Sequence, residues 1–110
     1  VSALKDAAKR TSDTNIREHG TLFIRKNPKI YKIKNIEAPQ KWYRPELELE
    51  VDTKEDVYVV SKIFQHFITN KKEDFGLDDI IAFMNGSPEL KKINSEVHRR
   101  WKEFRGDESV

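Results

Sequence analysis

Asp52 stands where a carboxylate can do phosphate chemistry. It directly follows the alternating run Glu46-Leu47-Glu48-Leu49-Glu50-Val51 and precedes a helix start at Thr53. In open α/β sheets, ligands bind beyond the carboxyl ends of strands. An exposed carboxylate there can hold Mg²⁺ beside substrate phosphates, with waters completing the shell. The same spacing also suits a structural role, in which Asp52 merely precedes a Thr53-x-x-Asp56 capping arrangement. Asp56 is a capping residue on either reading. Arg17-Glu18-His19 is the second candidate, three ionisable groups on a turn ahead of an apolar segment and able to line a pocket for an anion. His66 and His98 fall on helical stretches with no second ligand at i+3 or i+4, so no zinc site is implied. The chain has no cysteine, which excludes thiolate metal sites and disulfides. No nucleophile-and-base motif occurs. The 4 glycines (Gly20, Gly76, Gly86, Gly106) never come close enough together to form a phosphate loop.

These residues need elements to position them. Leu4, Ala7 and Ala8 give a weak apolar face to a helix over 1–10, and Thr11 to Asn15 reads as a turn. Thr21 to Lys26 is a short apolar segment, read as a short helix, that stops at Asn27-Pro28. Ile30 to Ile36 reads as a strand by its β-branched and aromatic content, and Glu46 to Val51 as a strand by its alternation. A connector bearing Trp42 and Tyr43 joins the two into a hairpin-like pair. Thr53 caps a helix over about 54–69, with a stripe of Val57, Val60, Phe64 and Phe67 flanked by Ile63 and Ile68. Leu77, Ile80, Ile81 and Met84 form a second helix closed by Asn85-Gly86. Ser87-Pro88 restarts the chain as a cap followed by an N1 proline. A third stripe runs through Leu90, Ile93, Val97, Trp101 and Phe104, interrupted near Asn94, before a frayed tail from Gly106.

Composition sets the outer bounds. The 110 residues are 36% hydrophobic and 36% charged, with 11 aromatics, enough for one ordered domain and against disorder. No apolar run is long enough for a membrane span, so no membrane is expected, and the polar start lacks the apolar core of a signal peptide. A cytoplasmic location is the expectation. Net charge is +2 but uneven: residues 1–45 carry 11 Lys/Arg against 4 Asp/Glu, and residues 46–88 carry 4 against 10. Such segments either face one another and solvent, or set a basic region that receives an anion beside an acidic one that holds a cation. The helices on either side of Asn85-Gly86-Ser87-Pro88, with His98-Arg99-Arg100-Trp101-Lys102 after them, also sketch a helix-turn-helix. Glu89, Glu96, Glu103 and Asp107 in the same stretch argue against nucleic acid.

Several of these segments form an ordered series. Arg17-Glu18-His19, Asn27-Pro28 and the strand ending in Asn35-Ile36 come first. Leu49-Glu50-Val51-Asp52-Thr53-Lys54-Glu55-Asp56 follows, then Leu77-Asp78-Asp79-Ile80, Ser87-Pro88-Glu89-Leu90 and Ile93-Asn94. In order and spacing the series resembles the C-terminal portion of the spore coat polysaccharide biosynthesis protein F-like, acylneuraminate-type cytidylyltransferases. Departures include Gly20 and Leu22-Phe23 in the first motif, and Glu48, Glu50 and Lys54 where the family favours arginine, threonine and proline.

The resemblance implies an α/β fold, the C-terminal fragment of a nucleotide-diphospho-sugar transferase-like domain. It would hold a short helix, two β-strands and two to three helices in a single domain, with the sheet part over 1–52 and the helices over 53–105. It implies transfer of CMP from CTP to a sugar acid with Mg²⁺ as cofactor, Asp52 as a metal ligand, and Arg17 and His19 near the sugar. The family's nucleotide-binding half would lie N-terminal to Val1, so the chain alone is expected to be inactive. Two other readings stay open: a nucleic-acid-binding module, or a non-catalytic helical interaction domain, such as a homodimer joined through Trp42, Tyr43 and Trp101.

Overall fold

A computed structural model describes residues 1–100, 102 and 103. Trp101 and Phe104 of the third stripe, and the tail from Gly106, lie outside the described residues. The chain divides into two compact units, residues 37–98 and the residues on either side of them.

In the first unit, α1 spans Ser2–Arg10, α2 Thr14–Glu18 and α3 Leu22–Lys26. Asp13 starts α2 by accepting hydrogen bonds from the Asn15 and Ile16 amides at 2.9 and 3.4 Å. Part of the expected turn is therefore helix, and Arg17 belongs to it. Ala7, Leu22 and Tyr31 are buried. The Tyr31 hydroxyl donates to Asp6 Oδ2 at 2.8 Å, and its ring meets Phe23 edge-on at 6.2 Å.

In the second unit, α4 covers Lys54–Thr69, α5 Leu77–Asn85 and α6 Pro88–Ile93. The start of α4 is fixed by a full capping box between Thr53 and Asp56. Its end is a Schellman motif: Lys72 N donates to Phe67 O at 2.9 Å and Lys71 N to Ile68 O at 3.0 Å. Lys71 occupies the left-handed position at φ 55°, where a side chain is strained and glycine is not. Lys71→Gly should therefore stabilise the second unit by about 1 kcal/mol, read as a higher urea midpoint with unchanged slope. A fall in midpoint would show that Lys71 makes compensating contacts.

The α/β expectation is overturned: among the described residues every regular element is helical and no strand pairs with another. The Glu46–Val51 alternation does mark a one-sided segment, because Leu47 and Leu49 pack on the core of Val59, Ile63, Phe67, Met84 and Leu90. What covers them is helices. Alternation reports which side chains are inward, not whether the backbone has a ladder partner. Ile30 to Ile36 fails differently. Tyr31 is inward while Ile30, Ile33 and Ile36 are exposed, so β-branched content there reflects propensity without a buried face.

The helical stripe on α4 is also rotated from the sequence expectation. The buried line is Asp56, Val59, Ile63 and Phe67, whereas Val57, Phe64 and Ile68 are at least half exposed. α4 is apolar around much of its circumference, and the buried Asp56 selects which side turns inward. The third stripe ends early, because α6 stops at Ile93 and Asn94 turns into the interior.

Trp42 and Lys41 fasten the connector to the first turn of α5. The indole N–H donates to Asp78 Oδ1 at 2.5 Å, and Lys41 Nζ reaches Oδ2 at 3.0 Å. Asp79, two positions into that helix, accepts from Gly76 N at 2.9 Å and from Lys72 Nζ at 2.5 Å. The Trp42 indole and then Lys41 hold the Asp78 carboxyl below the usual aspartate range, and the Gly76 amide and then Lys72 do the same for Asp79. Because both values are depressed, these contacts contribute fully above the ordinary aspartate pKa and are lost as pH falls through the lower folded values. A carboxyl NMR titration should show both midpoints below that of an unstructured aspartate, with the Trp42 indole resonance moving in step with Asp78. Midpoints at or above the unstructured value would remove these contacts from solution.

Candidate functional site

The turn that carries Asp52 is built around Asp56. Asp56 has no exposed surface, and its Oδ2 accepts from Asp52 N at 3.0 Å, Thr53 N at 2.9 Å and Thr53 Oγ1 at 3.1 Å. Its other oxygen, Oδ1, accepts from Asn94 Nδ2 at 2.9 Å. The same Asn94 amide donates to Glu48 O at 2.9 Å. One buried asparagine thus ties the extended segment, the start of α4 and the end of α6 together. The positive end of the α4 dipole further favours the Asp56 charge.

This accounting decides what each carboxylate can do. Both Asp56 oxygens are committed to protein donors, so Asp56 has no role as a cation ligand. Asp52 lies exposed on the bend, with its backbone N–H fixed by Asp56. It can offer one carboxylate to Mg²⁺, whose other positions would be filled by water or phosphate oxygens. Among the described residues no three His, Asp or Glu side chains converge into a metal-holding group. A single-carboxylate contribution is the most this arrangement supplies.

Arg17 and His19 sit in the first unit, whereas Asp52 is in the second. Arg17 Nη1 donates to the carbonyls of Ala8 and Thr11 at 2.7 and 3.0 Å, satisfying the C-terminal end of α1. It also borders a cleft of about 200 Å³ lined by Leu4, Ala7, Ile16 and Phe23. His19 is half-buried at the C-terminal cap of α2, and its carbonyl accepts from Leu22 N at 2.7 Å. Engaging an anion with Arg17 therefore competes with a capping role.

Sequence reasoning missed two features. The first is Asn94 as the partner of Asp56; its signal was a polar residue interrupting an apolar stripe at a position where the helix had to end. The second is a groove of about 540 Å³ along α4, bordered by Tyr58, Lys62, His66 and Asn70 on one side and by Phe83 and Leu90 on the other. Tyr58, Lys62 and His66 of α4 and its C-cap Asn70 recur every fourth position, which makes one ridge of the helix continued by its cap. The His66 ring is stacked on Phe83 at 4.3 Å.

The comparisons agree with the motif series at a coarse level. The chain is 32% identical over 73 residues to the spore coat polysaccharide biosynthesis protein SpsF of Bacillus subtilis, covering 66% of this chain and 30% of that protein. It is 31% identical over 98 residues to an uncharacterised protein of Methanocaldococcus jannaschii, covering 89% of this chain and 39% of that one. The chain thus spans about a third of the length of the curated relatives it matches. The first match is partial and supports only a distant relation to a polysaccharide biosynthesis protein. No family model matches the chain, and no solved structure does. No helix among the described residues is long and apolar enough to cross a membrane.

Proposed function

We propose that this chain is the C-terminal part of a Mg²⁺-dependent cytidylyltransferase that makes a CMP-sugar from CTP and a sugar acid for surface polysaccharide synthesis. The observation that carries the reading is the 73-residue similarity to a spore coat polysaccharide biosynthesis protein. The Asp52 turn adds support, since its acidic side chain is exposed while its backbone is held.

In this reading Asp52 would contribute one oxygen to the cation, from a side chain whose backbone N–H is held by Asp56. When bound, Mg²⁺ neutralises charge on the phosphates of the nucleotide. Nucleotidyl transfer needs positioning and charge neutralisation rather than a protein nucleophile, and none is required of these residues. Arg17 and His19 would contact the sugar acid, with Arg17 exchanging a helix-end carbonyl for the substrate carboxylate. The nucleotide-binding half belongs to sequence outside this chain.

Two measurements test the proposal. The purified chain, given CTP, Mg²⁺ and a panel of sugar acids, should release no pyrophosphate; turnover would show that it is not the incomplete enzyme proposed. Mn²⁺ titration should broaden the backbone resonances of Val51 to Thr53 selectively, and Asp52→Asn should abolish that broadening. Uniform broadening, or the same pattern in the variant, would remove Asp52 as the cation ligand.

A further inference from the structure

Residues 19–36 contain 5 Lys/Arg and no acidic residue. Within this stretch Lys29, Lys32 and Lys34 are exposed and alternate with Ile30, Ile33 and Ile36, which are 49%, 41% and 85% exposed. The start of the segment is anchored to the first unit at Ile30 and Tyr31. Tyr31 is buried, its hydroxyl donates to Asp6 at 2.8 Å, and the Ile30 and Tyr31 amides donate to Asn27 O at 3.0 and 3.1 Å. The anchored end leads into a strip on which exposed lysines and isoleucines are interleaved.

We infer that this strip is a peripheral docking surface for an anionic lipid bilayer. Lysines near such a surface gain from its negative potential, and isoleucines between them gain by entering the boundary between headgroups and acyl chains. The lysine stems can lie along apolar surface while their ammonium groups stay among the headgroups. Two other anionic partners fit less well. Single-stranded nucleic acid rewards exposed aromatics on which bases stack, but the aromatic residue of this strip, Tyr31, faces inward. A second copy would have to offer the acidic run beginning at Glu46, yet Glu46 is already bridged to Arg44 at 2.6 Å and lies 3.9 Å from Lys91.

Vesicle flotation with the whole chain tests this. The chain should float with phosphatidylcholine vesicles containing phosphatidylglycerol and not with phosphatidylcholine alone, and binding should weaken as salt rises. Each of Lys29→Gln, Lys32→Gln and Lys34→Gln should cost about fivefold in affinity, and the three together about a hundredfold. Replacing Ile30, Ile33 and Ile36 with serine at unchanged charge should cost about tenfold. Lys5→Gln with Lys9→Gln, which leave the strip intact, should change little. Circular dichroism identical to the parent chain checks that each variant is folded. No flotation at low salt, equal binding to neutral vesicles, or loss equal in the Lys5/Lys9 control would overturn the inference. Isoleucine-independent binding accompanied by equally tight binding to duplex DNA would reassign the strip as a general polyanion surface and overturn it as well.

Discussion

Asp56→Ala should destabilise the second unit by about 3–4 kcal/mol, the largest effect expected of any single polar substitution in this chain. The carboxylate takes hydrogen bonds from Asp52 N, Thr53 N, Thr53 Oγ1 and Asn94 Nδ2. Removing it leaves one N–H of the Asn94 amide, itself only 2% exposed, without an acceptor while the other still donates to Glu48 O, and the three donors at the cap lie nearer the surface, where water can replace the carboxylate. A bond to a charged acceptor is worth about 1.5–3 kcal/mol, and a stranded buried donor costs about 1–3. Partial solvent rescue at the cap keeps the total below the sum. Asp56→Asn keeps one carbonyl acceptor and should cost clearly less, and Asn94→Ala should fall between the two. Urea unfolding of the three variants checks the order. A cost for Asp56→Ala no greater than the ~1 kcal/mol of an ordinary N-cap loss would mean that Asn94 does not depend on this carboxylate. The alanine variant should also loosen the Asp52 bend, so its Mn²⁺ broadening should spread and weaken even below the unfolding transition.

Phe67→Ala and Phe64→Ala should differ sharply although both residues are phenylalanines on one helix. Phe67 is 5% exposed and stacks on Phe75 at 4.4 Å, whereas Phe64 is 50% exposed and meets the same ring edge-on at 5.4 Å. Truncating a buried phenylalanine costs about 3–5 kcal/mol through lost transfer energy and the cavity left behind. A half-exposed one leaves no closed cavity and should cost about 1–1.5 kcal/mol. Equal effects, or a larger one at Phe64, would show that α4 turns its Val57–Phe64–Ile68 line inward in solution. The comparison therefore tests the rotation of the helix itself.

The rotation shows why part of the architecture could not be read locally. Val57, Val60, Phe64 and Ile68 form as good an apolar line as Val59, Ile63 and Phe67, so periodicity leaves two candidate faces on α4. The choice falls to Asp56, because a carboxylate sunk in the interior is tolerable only where enough donors meet it. Those donors include a residue 38 positions away, Asn94. Leu47 and Leu49 tell the same story for the extended segment. Their alternation was legible, but the covering helices were not, since side-chain periodicity carries no record of what supplies the backbone hydrogen bonds.

The candidate site was legible in a similar proportion. Asp52 was picked out by its place between an apolar run and a cap, and the structure shows that place as an exposed side chain on a pinned bend. Arg17 was picked out by charge, yet its contacts to Ala8 O and Thr11 O depend on how α1 and α2 meet. The ridge of Tyr58, Lys62, His66 and Asn70 was visible as a spacing, but it became a groove only once α5 and α6 supplied the opposite wall.

By itself, then, the sequence determined the local elements whose causes lie within a few residues. These are the Thr53–Asp56 capping box, the helix from Lys54 to Thr69, the stop at Gly86 and the restart at Ser87-Pro88. Only the tertiary structure decided that the extended segments form no strand pair among the described residues, which face of α4 is inward, and that Asp56 is buried while Asp52 is exposed. Those outcomes depend on partners distant along the chain, and hydrogen-bond satisfaction of a buried charge is a property of the assembled interior rather than of any window of sequence.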